Sequence, residues 1–147
     1  MTVDWPPLLA EEQGVNPDQV EQDVQVNGKI WRRVRTNFLM FVASNMSMIA
    51  SDTKIAPYAH CSDGKIDLVY VSSNNVSKID MLQTMLDLDS GEYVKHDDIV
   101  QYKKTTAFML QPLIEKGRFS LDGEFTNYNP IRVAIYPSCI KLMGSIK

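Results

Sequence analysis

With 147 residues and 44% hydrophobic content, the chain has the size of one domain with one sizeable core. A formal charge of −3 and a pI near 5.3 exclude a general nucleic-acid-binding surface, so an anionic partner has to be met by a local cluster. No apolar run reaches the roughly 20 residues that cross a bilayer; the longest candidate, Phe38 to Ala50, is interrupted by Ser44, Asn45 and Ser47. Cys61 and Cys139 lack metal-ligand spacing and follow no secretory signal, so both are expected reduced, in a cytoplasmic protein. Met1 to Pro7 carries no targeting or lipidation pattern, which leaves peripheral contact as the expected form of any membrane association.

From Asp4 to Asp23 the chain holds Glu11, Glu12, Asp18 and Glu21 without a lysine or arginine, punctuated by Pro6, Pro7, Gly14 and Pro17. This predicts a solvated loop or insertion, and residues 1–28 are assigned to it as an acidic variable tail. The character then reverses: Lys29, Arg32, Arg33 and Arg35 surround Trp31 on a strand that follows the Asn27-Gly28 turn. Such a cluster suits phosphate or an anionic lipid surface. It equally suits an outward strand face that neutralises the acidic segment before it.

Phe38 to Ala43 is a continuous apolar run of strand length, which predicts burial on both faces. The segment Ser44 to Asp52 fits neither a clean strand nor a clean helix. Its Met46, Met48 and Ile49 either line an irregular apolar pocket or form an irregular core connection. His60 reads as a hydrogen-bonded loop histidine. The Asp63-Gly64 turn then leads into a strand, Ile66 to Val71.

Ser77-Lys78-Ile79-Asp80 opens a helix with a capping box, with Val76 and Met81 at staple positions. It is expected to run to about Leu88, before Ser90-Gly91. Its apolar residues, Ile79, Met81, Leu82, Met85, Leu86 and Leu88, cover more than the one stripe a surface helix needs. Either the helix is wedged between layers or its spare apolar side faces a hydrophobic ligand. Strands are then predicted over Ile99 to Leu113, Gly117 to Leu121, Ile131 to Tyr136 and Ile140 to Met143.

Between the second and third of these lies Asp122-Gly123-Glu124, where a tight turn leaves two carboxylates beside an unencumbered backbone. An Asp-Gly dipeptide between alternating apolar residues is most often a hairpin turn and nothing more. The whole pattern, short strands with turn signals and one or two short helices, indicates a mainly β protein, an antiparallel β-sandwich over residues 29–147.

Three segments in order resemble the C-terminal part of sphingosine kinases, members of the diacylglycerol kinase-like lipid kinases. They are Ala56-Pro57-Tyr58-Ala59-His60 with Ser62-Asp63-Gly64-Lys65-Ile66-Asp67-Leu68, then Ala107-Phe108-Met109-Leu110-Gln111-Pro112-Leu113, then Phe119-Ser120-Leu121-Asp122-Gly123-Glu124. The likeness runs from about Phe38 to Gly144. It implies the C-terminal, lipid-binding sandwich of the diacylglycerol kinase and NAD kinase-like fold, partnered by an N-terminal nucleotide-binding domain whose Gly-Gly-Asp-Gly-type loop this chain lacks. By that resemblance the activity is ATP-dependent phosphorylation of the primary hydroxyl of a sphingoid long-chain base, with Mg²⁺, and the isolated fragment is expected to be inactive.

Carried over residue by residue, the resemblance makes Asp122 and Glu124 the catalytic and metal-binding carboxylates and places Asp122, Gly123 and Glu124 beside the nucleotide. It lines the acyl-chain site with Met81, Leu82, Met85, Leu86, Leu88 and Tyr93, and more loosely with Met46, Met48 and Ile49. Tyr93 stands near a position where family members often place histidine. Alternatives are a diacylglycerol or ceramide kinase fragment and a stand-alone, non-catalytic lipid-binding module.

Overall fold

The computed structural model describes residues 2–9, 20–73, 76–114 and 117–139. Two consecutive left-handed residues, Asn27 at φ 47° and Gly28 at φ 78°, turn the chain between β1 (Val20–Val26) and β2 (Lys29–Arg35). That is the two-residue turn whose twist matches a right-twisted hairpin. Pairing runs without a slip from Val26↔Lys29 to Val20↔Arg35.

Strand β1 lies wholly inside residues 1–28, the segment expected to be a solvated loop or tail. Its acidic residues face cations rather than water alone: Arg32 bonds Glu21 and lies 3.5 Å from Asp23. Residues 2–9 are also anchored. Trp5 packs on Trp31 with ring centroids 5.6 Å apart, Asp4 pairs with Lys29 at 3.2 Å and Pro6 is buried. The Gln111 amide accepts from Leu9 N–H and donates to Leu9 C=O, both at 2.8 Å, as a neighbouring strand would. Residues 2–9 thus form a strap held to the hairpin through Asp4 and Trp5. The remainder of the acidic segment, residues 10–19, lies outside the described residues.

The central sheet has the order β3 (Phe38–Ser44), β4 (Ile66–Ser72), β5 (Val100–Thr105), antiparallel throughout. Burial on both faces was expected for β3, yet no residue of β3 is fully buried and Leu39 is half exposed. The deeply buried strand is β4, which holds the middle position with a hydrogen-bonded strand along each edge. Side-chain alternation divides its faces. Val69 and Val71 join Ile55, Ala56, Tyr93, Val94 and Val100 in the core, and Leu68 and Tyr70 point to the opposite side.

Helix α1 (Lys78–Leu86) begins as its sequence requires. Ser77 Oγ accepts from Asp80 N–H at 3.2 Å, and the Asp80 carboxylate accepts from Ser77 N–H at 2.9 Å. The helix ends two residues before the expected Leu88. Gly91, at φ 76°, donates to the Asp87 carbonyl at 3.0 Å and starts a 3-10 turn, Glu92–Lys95.

The long strand expected from Ile99 to Leu113 is two strands. Thr105 Oγ1 donates to the Ala107 carbonyl at 2.7 Å and accepts from Ala107 N–H at 3.3 Å, which breaks the ladder at Thr106. The chain then leaves the central sheet: β6 (Ala107–Leu110) pairs with β9 (Ile131–Ala134). Switching sheets at a corner is how two packed sheets share one strand sequence. β7 (Phe119–Leu121) and β8 (Glu124–Thr126) form a separate hairpin. Among the described residues the architecture is mainly β and antiparallel with one α-helix, as expected from the pattern of short strands. The strand expected over residues 140–143 lies outside the described residues.

Candidate functional site

Asp122 and Gly123, at φ 50° and 88°, close the β7–β8 hairpin as a second two-residue left-handed turn, with Leu121 paired to Glu124. Gly123 takes φ 88° without strain, and a Cβ there would meet nothing within 4 Å, so its role in the turn is conformational. The base of the hairpin is braced by Phe119 against Tyr128 at 4.7 Å and by Arg118 over the Phe125 ring at 5.7 Å. Gly117 lets the Tyr128 ring lie against the backbone, where a Cβ would come within 2.1 Å of it.

The hairpin tip therefore presents Asp122 and Glu124 to solvent from a fixed backbone. Neither carboxylate has a hydrogen-bond or ion-pair partner among the described residues. Carboxylates are the oxygen donors that Mg²⁺ takes beside substrate phosphates and water; no group of three or more potential metal-ligating side chains occurs among the described residues.

The residues assigned to an acyl chain divide into two groups. Tyr93 is fully buried in the core, and its hydroxyl donates to the Ile55 carbonyl. Burial alone pushes its phenol up to about 12. Met81 and Leu88 also pack against the core. On the other face of α1, Leu82, Met85 and Leu86 are 58%, 56% and 70% exposed, joined by Ile79. The helix is thus not wedged between layers: it packs by one stripe and shows the other. Met46, Met48 and Ile49 are likewise exposed, on a loop tied to the end of α1 by a hydrogen bond from Lys54 N–H to the Leu88 carbonyl at 2.9 Å. The hairpin carboxylates and this apolar surface sit on separate elements of the domain.

A third group was not read from the sequence. Asp67 is completely buried on β4, in phase with Val69 and Val71, and is directly opposite Lys104 on β5. Lys104 Nζ donates to Asp67 Oδ1 at 2.9 Å, Asp63 Oδ2 at 2.8 Å and the Tyr58 carbonyl at 2.7 Å, and Tyr102 donates its hydroxyl to the Asp67 carboxylate. The Lys104 bond, helped by Lys65 N–H, holds Asp63 below the usual carboxylate range. Burial acts to lower Lys104, but its bonds to Asp63 and Asp67 outweigh it and leave the ammonium above its ordinary value. Burial, then the Asp67 bond and charge, push Tyr102 far up. The cluster pins the Asp63-Gly64 turn and the Tyr58 loop to the central sheet. Its signal in the sequence was an aspartate in the inward phase of an apolar strand, with two lysines on a later strand.

His60 is the loop histidine expected, its Nδ1 2.8 Å from Ser62 Oγ. Cys61 and Cys139 are free and exposed. Among the described residues no helix is long and apolar enough to cross a membrane.

The family model for the YegS C-terminal NAD kinase beta sandwich-like domain matches residues 14–144. The chain belongs to this family. Among similar curated proteins, sphingosine kinase B of Dictyostelium discoideum is 33% identical over 117 residues, covering 78% of this chain and 15% of that protein. Sphingoid long chain base kinase 5 of Saccharomyces cerevisiae is 32% identical over 77% of this chain and 17% of its own length. Human sphingosine kinase 2 is 28% identical over 73% and 16%. This YegS-type domain thus spans about a sixth of the length of these relatives. The similarity to these kinases agrees with the resemblance that its three segments carry.

Proposed function

We propose that the domain serves as the lipid-binding and carboxylate-bearing part of a kinase that transfers phosphate from ATP to the primary hydroxyl of a sphingoid long-chain base. What carries this reading is the pairing of two unpartnered carboxylates on a rigid turn with an exposed apolar helix face, in a domain whose relatives are sphingosine kinases. The work divides by chemistry. Leu82, Met85 and Leu86, with Met46, Met48 and Ile49, receive the alkyl chain, each buried methylene contributing about 0.8 kcal/mol. Asp122 and Glu124 would hold Mg²⁺, which neutralises phosphate charge when bound. Gly123 keeps the turn clear so that the nucleotide side can come close. The phosphate-binding groups belong to a nucleotide-binding domain outside this chain, so the fragment by itself is inactive. Positioning and charge stabilisation dominate phosphoryl transfer and need both halves. Recruitment to the membrane that holds the substrate is peripheral, in the cytoplasm.

The test is Asp122→Asn and Glu124→Gln in the polypeptide that joins this domain to its nucleotide-binding domain. Asparagine accepts the left-handed backbone at Asp122 at least as well as aspartate, so the hairpin survives. Each variant is expected to lower turnover about tenfold or more with unchanged thermal unfolding, a size typical of losing one charge-stabilising group. Wild-type turnover in both would remove these residues from the site.

A further inference from the structure

The face of the central sheet turned away from α1 borders an open cleft of about 1440 Å³. Leu68 and Tyr70 of β4 and Phe41 of β3 form its floor, Phe108 of β6 and Trp31 of β2 stand in its walls, and Pro6 and Leu9 of the N-terminal strap edge it. The aromatic floor is continuous: Phe41 lies 5.8 Å from Phe108 and 6.5 Å from Tyr70, centroid to centroid. Charge in the lining is mostly of one sign. Glu21 is bonded to Arg32, and Lys104 is held by Asp63 and Asp67. Arg33 from β2 and Lys103 from β5, on two different sheets, reach the same cleft with no acidic partner among the described residues. Lys29 and Arg32 of β2 and Lys104 of β5, by contrast, are each paired with a carboxylate.

We propose that this cleft is a second ligand site, separate from the α1 surface, and that it takes a soluble amphiphile with one apolar chain and an anionic head. An aromatic floor stabilises the chain by burial, and two cations lining the same cleft select a carboxylate or phosphate head over an amine. A long-chain base, being cationic, is excluded from it by the same charges. The site therefore stands whether or not the kinase reading does.

The test uses the 147-residue chain and the fluorescent fatty acid cis-parinarate, with its uncharged methyl ester as reference. The acid binds saturably and more tightly than the ester. Arg33→Gln and Lys103→Gln, both on solvent-accessible positions that leave the core intact, each weaken the acid about threefold or more, in line with loss of one partly screened charge-assisted contact, and leave the ester unchanged. Lys78→Gln, which removes an exposed cation on α1 away from the cleft, leaves both probes unaffected. Equal binding of acid and ester, insensitivity to both cation variants, or weakened acid binding in Lys78→Gln overturns the assignment, and so does absence of saturable binding in a chain whose far-ultraviolet circular dichroism shows it folded.

Discussion

Replacing Lys104 by methionine removes the ammonium paired with Asp67 and keeps a stem of similar length. The Asp67 side chain is 1% exposed and that of Lys104 30% exposed, with Nζ 2.9 Å from Asp67 and 2.8 Å from Asp63. Without the ammonium, Asp67 keeps only the Tyr102 hydroxyl. Breaking a fully buried pair by deleting one partner costs about 3–5 kcal/mol, most of it the stranded charge. Water reaches Lys104 and takes up part of that loss, so the expected cost is about 2–3 kcal/mol, a large share of the 5–15 kcal/mol typical of a domain. Urea unfolding followed by circular dichroism reads it as a lower midpoint at unchanged slope. Adding Asp67→Asn to Lys104→Met recovers most of the loss, because a neutral amide oxygen still accepts from Tyr102 and no charge is left buried. A single variant within about 0.5 kcal/mol of wild type, or losses that simply add in the double variant, would refute the claim that Asp67 needs Lys104.

Two further outcomes follow from groups already described. The Asp63 carboxylate is depressed, so its contribution to stability is complete above its unfolded value of 3.8 and is lost as pH falls through its lower folded value. Lys104 is elevated, so its contribution is complete below 10.5 and is lost as pH rises through its higher folded value. An unfolding midpoint recorded across pH is therefore expected to fall at both extremes, and Lys104→Met to flatten the alkaline fall. An unchanged alkaline limb in that variant contradicts the assignment. Separately, Ser77→Ala removes one half of the capping box and is expected to cost about 1 kcal/mol, measured by urea unfolding; Ser77→Asp, which restores an acceptor, is expected to recover most of it.

What was legible in the sequence was what depends on neighbours along the chain. Asn27-Gly28 and Asp122-Gly123 specify left-handed turns within two residues, and Ser77 with Asp80 specifies a helix start within one turn. What was missed depends on position in the sheet. The apolar run Phe38 to Ala43 has the composition of a doubly covered strand, but sheet order puts it at an edge and gives the covered place to β4. Asp67 pairs with a lysine 37 residues later, a meeting fixed by the β4–β5 register and by nothing local. The acidic run before Asn27 read as solvated because its counter-charges lie across a hairpin rather than beside it. For the hairpin carboxylates the sequence showed the turn, and the structure adds that both oxygen pairs are unengaged among the described residues.

Lipid specificity tests the account most directly. The polypeptide joining this domain to its nucleotide-binding domain is assayed with radiolabelled ATP and Mg²⁺ against sphingosine, diacylglycerol and ceramide presented side by side in the same mixed micelles. The account predicts that sphingosine is phosphorylated on its primary hydroxyl at a rate well above the other two, and that Leu82→Glu on α1 raises the sphingosine KM. Preferential labelling of diacylglycerol or ceramide, or saturable sphingosine binding with no transfer to any of the three, would contradict it.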